Sequence, residues 1–327
     1  MEYIIFFALL FIAMLVYFKI ADRYNIIDRP NHRSAHSEIT LRGGGIIYQV
    51  VFLLFLGWLI FENRSLISPH NFLIFGAGLL TIATISFIDD IIDLSTKIRL
   101  IFHVISVTLL LYFINAFQLL PIWAIPICYI FVIGILNAYN FMDGINGMAG
   151  LYTLVVLGSL WYVDQFTIPF IDDDFIIFPI LASVVFLLFN FRKKAKCFLG
   201  DIGSMGIAFW IISLLGFLML RTGEIKWILF LTIYGIETII TIIERIKLKE
   251  NIFKAHRRHL YQLLVNEKNI SHLWVSFVYA AMQLGISVVL IFTDWSDIMS
   301  FLVITIPVIL IYVFTKIHIK KQISHSK

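Results

Sequence analysis

Residues 70–90 read HNFLIFGAGLLTIATISFIDD, a nearly unbroken apolar run that ends in two adjacent carboxylates, Asp89 and Asp90. A bilayer core about 30 Å thick takes roughly 20 residues of helix at about 1.5 Å each, and this run supplies them. Applied to the whole chain, the same ruler finds eleven apolar runs, at approximately 2–20, 44–61, 70–88, 98–117, 119–137, 147–163, 174–190, 204–220, 225–244, 273–293 and 298–315. Pro121 marks the turn within the long stretch 98–137. The first run has no basic segment ahead of it and no small-residue cleavage site behind it, so it reads as a retained helix rather than a secretory signal.

Composition agrees with that reading. The chain of 327 residues is 60% hydrophobic and 14% charged, with a mean hydropathy of +0.93 and 31 phenylalanines. A soluble domain carries about 25% charged residues, and one this apolar would leave large greasy patches in water. Gly 18 and Pro 7 are too few for a fibrous or disordered chain. Cys128 and Cys197 both lie in or beside apolar runs, which rules out a disulfide framework or a zinc cluster built on thiols.

The distribution of Lys and Arg orients the chain. With the N-terminus outside, 22 of the 25 basic residues fall in inner loops or the tail, leaving Arg64, Arg221 and Lys226 outside. The expected fold is therefore all-α, a single integral-membrane domain over 1–327 with eleven transmembrane helices, N-terminus out and C-terminus in. Its inner loops fall at 21–43, 89–97, 138–146, 191–203 and 245–272. Asp164, Asp172, Asp173 and Asp174 fall in an outer loop without a basic residue and read as solvated loop acids.

The unusual polar residues collect on the inner face. Asp89 and Asp90 sit at the membrane boundary, where carboxylates are costly and usually line a cavity or bind an ion; hydrated acids beside Lys97 are the plainer alternative. If the helix continues, Asp89 and Asp93 share a face, and Asp90 lies about 100° away. In NAYNFMDGINGMAG (137–150), Asn137, Asn140 and Asp143 recur every third residue and form one polar ridge on a helix. The glycines Gly144, Gly147 and Gly150 allow a turn and the close approach of a ligand. In CFLGDIGS (197–204), Asp201 stands between glycines at a helix start, suited to a divalent cation or to a plain N-cap. His256, Arg257, Arg258 and His259 place two imidazoles and two guanidiniums together, an anion site for a diphosphate or a stripe for anionic lipid. Asp28–His36, then Arg42 followed by Gly43-Gly44-Gly45, suit a bound phosphate or a hinge. Carboxylates for Mg²⁺, basic groups for phosphates and amides for a sugar or base thus share one membrane face. That set fits transfer between a soluble nucleotide donor and a lipid phosphate.

In its motifs the chain resembles the polyprenyl-phosphate N-acetylhexosamine-1-phosphate transferases, which include the initiators of O-antigen, capsule and teichoic-acid linkage synthesis and the MraY-type translocases. The resemblance rests on the RGGG segment, the Asp-Asp pair, NAYNFMDGINGMAG, FLGDIGS and the His-rich HRRHLYQ, in that order along most of the chain. It implies a Mg²⁺-dependent enzyme, with Mn²⁺ as a substitute, in the bacterial inner membrane with its site facing the cytoplasm. The implied reaction moves a sugar-1-phosphate from a UDP-N-acetylhexosamine, or a 6-deoxy derivative, to undecaprenyl phosphate and releases UMP. Membrane lipids are further expected partners, as is a second copy in a homodimer; nucleic acid is not.

The resemblance also implies roles. Asp201 is the expected metal ligand, Asp89 or Asp90 deprotonates or positions the lipid phosphate, and Asp143 is the catalytic carboxylate of the Asn-rich segment. Phe198 lies against uracil; His256 and His259, with Arg257 and Arg258, meet the diphosphate; Asn137, Asn140, Arg42 and Lys97 complete the substrate site. Many members carry a second Asp where this chain has Asn146, so Asn146 is expected to touch sugar or base. The HRRHLYQ form is closer to the O-antigen and capsule initiators than to the peptidoglycan translocases, which remain the alternative within the family. A transporter would need polar residues at mid-span and an internal repeat, and a lipid-binding scaffold would leave Asp89, Asp90, Asp143 and Asp201 without a role.

Overall fold

A computed structural model describes residues 2–28, 39–64, 71–92, 94–251 and 256–325. Helices occupy all eleven expected runs. They are α1 (Glu2–Arg23), α2 (Ile47–Phe61, entered through a 3-10 turn at Gly44–Ile46), α3 (Phe72–Ile92), α4 (Thr96–Phe113), the short α5 (Ala116–Leu119) and α6 (Ala124–Met142). There follow α7 (Met148–Phe166), α8 (Asp174–Asn190), α9 (Gly200–Thr222), α10 (Thr232–Lys247, led in by a 3-10 segment Ile225–Leu231), the one-turn α11 (Leu260–Gln262), α12 (His272–Ile291) and α13 (Asp297–His325). Among the described residues the extended structure is one antiparallel pair, β1 (Ile27–Asp28) with β2 (Thr40–Leu41). The protein is an all-α polytopic membrane protein.

Among the described residues, nine helices are long and apolar enough to cross a membrane by length and composition. The other two of the eleven are α7, whose last turns carry Asp164 and Gln165, and α8, only 17 residues long with Pro179 inside it. These two pack against each other within the bundle. The uneven burial of the helices has a sequence cause. The α9 run is apolar on every side, and such a helix belongs in the centre of a bundle; 94% of its spanning window is buried, against 17% for α13. Phe52, Phe75, Phe175 and Trp210 interlock around it, with ring centroids 4.8–5.7 Å apart. The turn at Pro121 falls where expected, between Phe113 and Ala124, with Asn115 left-handed at φ +60°.

Hydrogen bonds sort the helix ends into two groups. At one end Asp174 accepts from Tyr3 Oη at 2.6 Å and Trp58 Nε1 at 3.0 Å, and Arg64 bridges Asp172 and Asp174 at 2.5 Å each. Asp164 is buried and accepts from the backbone N–H groups of Phe170 and Ile171. The reading of these acids as solvated is therefore corrected. Arg64, distant in sequence, reaches them, and the loop folds onto their oxygens. Replacing Asp174 with Asn leaves Arg64 partly unpaired and is expected to cost about 2–3 kcal/mol. The measurement is thermal unfolding in detergent, and an unchanged midpoint would contradict this assignment.

Candidate active site

All five polar loops meet at the opposite end. Leu41 bridges Cys197, Phe198 N–H donates to Leu41 O at 2.8 Å, and Gly44 and Gly45 N–H donate to Phe198 O and Leu199 O at 2.8 and 2.9 Å. The RGGG segment therefore runs along the FLGD segment. A Cβ built on Gly45 would stand 2.1 Å from Gly203 Cα, so two backbones touch where both residues are glycine. The phosphate-cradle reading of the triple glycine is corrected by this packing, since the amides of Gly44 and Gly45 already serve carbonyls. Of the first loop, Arg29–His36 lie outside the described residues, as does Asp93.

The junction sets Arg42 against two carboxylates. Arg42 Nη2 lies 2.5 Å from Asp90 Oδ1 and 3.9 Å from Asp201 Oδ1. Asp90 Oδ2 accepts the Asp201 N–H at 3.0 Å, while Gly200 N–H serves Asp143. Two successive amides at the start of α9, where the helix dipole favours anions, thus hold carboxylates from the ends of α3 and α6. The Asp201 side chain turns toward Asp90 and is bonded by Asn140, whose Nδ2 also reaches Ser204 Oγ at 3.2 Å. It is not a helix cap: Leu199 occupies the N-cap of α9, with no side-chain bond. Burial, reinforced by the charge of Asp201 and opposed by Arg42, pushes Asp143 up to about 7.

Adjacent in sequence, Asp89 and Asp90 do different work. Asp89 accepts from Arg99 Nη1 at 2.9 Å and from Leu94 N–H at 2.7 Å, which fastens the turn between α3 and α4. Asp90, with a side chain only 4% exposed, faces the centre. Lys97 stands exposed in the first turn of α4. Asn137 Nδ2 bonds its own helix at Ile133 O, 2.7 Å away. Asn146 is buried; its Nδ2 donates to Arg192 O at 2.8 Å, and its carbonyl accepts from Ser276 Oγ at 2.8 Å. The residue that replaces an expected acid thus ties the second and third loops to α12, a use that its sequence context does not signal. Phe198 is half-buried, beside the Arg42 junction.

The His-rich loop arrives from the other side. Tyr261 Oη donates to Phe141 O at 2.8 Å, and a Cβ on Gly144 would collide with that hydroxyl at 2.1 Å. Gly144 is thus a packing requirement of the loop pair. The rings of His256 and His259 lie 4.9 Å apart. Burial and the neighbouring His259 and Arg245 lower His256 to about 4, so it presents a neutral imidazole at pH 7. Arg258 is committed to Glu250 and Glu244, so the anion reading of this loop loses one of its two guanidiniums. Glu237, which accepts the Leu260 N–H and lies 3.4 Å from His259 Nδ1, was missed; an acid in the middle of an apolar span was the available signal.

Among the described residues no group of three or more His, Cys, Asp or Glu side chains encloses a metal. The arrangement nevertheless suits Mg²⁺, which uses one or two carboxylates and takes its remaining oxygens from substrate phosphates and water. Asp90 and Asp201 lie within hydrogen-bonding reach of each other, with Asp143 beside them and one guanidinium among the three. Carboxylates meet this way only with a proton or a cation between them.

Comparison with known proteins places these residues in context. Residues 72–219, which hold the Asp-Asp, Asn-rich and FLGD segments, match the model of glycosyl transferase family 4. A probable undecaprenyl-phosphate N-acetylglucosaminyl 1-phosphate transferase of Bacillus subtilis is 27% identical, over 76% of this chain and 72% of its own length. A phospho-N-acetylmuramoyl-pentapeptide-transferase of Borreliella afzelii is 28% identical over 73% and 78%. The undecaprenyl-phosphate alpha-N-acetylglucosaminyl 1-phosphate transferase of Escherichia coli K12 is 26% identical over 78% and 74%.

Proposed function

We propose that this chain, which belongs to glycosyl transferase family 4, transfers a sugar-1-phosphate from a UDP-N-acetylhexosamine to undecaprenyl phosphate and releases UMP. The observation that carries this reading is the meeting of Asp90, Asp143 and Asp201 around Arg42 at the end of a spanning helix. A lipid phosphate can reach that level from within the leaflet, and a soluble nucleotide from the adjoining water. The excess of Lys and Arg in the loops at this end supports a cytoplasmic orientation in a bacterial inner membrane.

In the reaction an oxygen of the lipid phosphate attacks the β-phosphorus of the donor. The new bond joins that oxygen to phosphorus, the bond to the bridging α–β oxygen breaks, and UMP leaves with the bridging oxygen. The bond between sugar and phosphate stays intact. Asp201 would hold Mg²⁺, which when bound supplies positive charge against the pyrophosphate. Asp143, half-buried at the C-terminal end of α6, takes the proton of the lipid phosphate. Asp90 is nearly buried and fixes Arg42, whose guanidinium offsets charge on the phosphates. Asp89 keeps the α3–α4 turn closed and stays out of the chemistry. Phe198 offers a face to the uracil.

The test is UMP release in detergent with undecaprenyl phosphate, Mg²⁺ and a panel of UDP-N-acetylhexosamines that includes the muramoyl-pentapeptide donor. Release that requires both lipid and metal supports the reading and identifies the sugar. Release of UDP refutes it.

A further inference from the structure

Glu237 lies in the spanning part of α10, and its side chain is wholly buried. A carboxylate in that position persists only if its oxygens are fully engaged. Oε1 accepts the Leu260 N–H at 2.5 Å and the Tyr312 hydroxyl at 2.9 Å, and it lies 3.4 Å from His259 Nδ1. Oε2 accepts the Tyr279 hydroxyl at 2.7 Å. One side chain therefore joins α10 to α12, to α13 and to the first turn of α11. The ring of His259 is then stacked against that of Tyr261, 5.6 Å away and 21° from parallel. Tyr261 in turn bonds the carbonyl of Phe141, two residues before Asp143.

We propose that Glu237 is a positioning residue: its buried carboxylate holds the His256–Tyr261 segment against the Asn140–Asp143 turn and so sets where the imidazoles stand in the donor site. The inference rests on the reading above that this segment meets the donor's diphosphate. Nothing in the geometry brings Glu237 itself to a substrate. Hydrogen bonds to a charged acceptor are the strong ones in a low-dielectric interior, and Glu237→Gln removes that charge with almost no change in shape. The amide oxygen, now neutral, can still accept from the Leu260 N–H and the Tyr312 hydroxyl, but the NH₂ that replaces Oε2 cannot accept from the Tyr279 hydroxyl.

The experiment has two arms on the full-length protein in nanodiscs. The first is hydrogen exchange across residues 256–262 without substrate, where Glu237→Gln is expected to exchange about tenfold faster while the membrane helices stay protected. The second separates the two substrates: KM for the UDP-sugar rises about tenfold, and KM for undecaprenyl phosphate stays within about twofold. Tyr279→Phe, which deletes one of the bonds, shifts both in the same direction by less and serves should Glu237→Gln fail to fold. Unchanged exchange in the folded variant overturns the proposal, and so does a rise in both KM values together. If the unmodified protein releases no UMP from any donor, the functional reading fails, and the exchange arm still decides whether Glu237 holds the segment.

Discussion

Replacing Asp201 with Asn is expected to lower UMP release by about a thousandfold or more and to leave the protein folded. Shape and hydrogen bonding are nearly conserved by this change. Asp201 caps no helix, since α9 is entered through Leu199 without a side-chain bond, and Asn can still meet Asn140 and Asp90. Removing one of three crowded carboxylates relieves repulsion, so thermal unfolding is expected at the same temperature or slightly higher. What disappears is the charge through which Asp201 would hold Mg²⁺, so the residual rate should also respond weakly to added metal. A variant that keeps most of its activity and responds to added Mg²⁺ as the unmodified protein does would contradict the proposed role of Asp201 as metal ligand.

Asp143→Asn is expected to lower kcat by about a hundredfold to a thousandfold, with KM for the donor changed by less than about threefold. Asp143 receives the Gly200 N–H, and an Asn oxygen can accept the same bond, so the junction of α6 with α9 survives. An amide cannot take a proton from the lipid phosphate. Steady-state kinetics in both substrates separates this outcome from a binding defect. A rise in donor KM without a fall in kcat would make Asp143 a donor contact and leave proton removal to another group. Asp89→Asn provides the contrast. It weakens the bond to Arg99 in the α3–α4 turn, so its expected effect is on stability.

The architecture was legible because it depends on length and hydropathy alone. Eleven apolar runs gave eleven helices, and the runs between them carried the polar residues that meet at one end of the bundle. The division of labour within that cluster was not legible. Asp89 and Asp90 are neighbours of the same chemistry, and the partners that separate them, Arg99 and Arg42, lie on other elements. Asn146 looked like a ligand contact because it replaces an acid, yet its amide nitrogen is turned to the Arg192 and Lys193 carbonyls. The glycines suggested a phosphate cradle, but Gly45 and Gly203 are small because two backbones touch there. Each of these outcomes depends on which loop lies beside which, and a pattern along one chain carries no such information. Glu237 is different: an acid within an apolar span demands a buried partner on energetic grounds alone.

If the bond broken lies between the two phosphates of the donor, a label at the β-phosphorus must follow the sugar to the lipid. The purified protein, undecaprenyl phosphate and Mg²⁺ are incubated with β-labelled UDP-N-acetylglucosamine or whichever donor is active, and label is measured in the lipid and nucleotide fractions. Label is expected in the lipid, as a diphosphate-linked sugar, with unlabelled UMP in equal amount. Label retained in released UDP, with the sugar alone on the lipid, would contradict it.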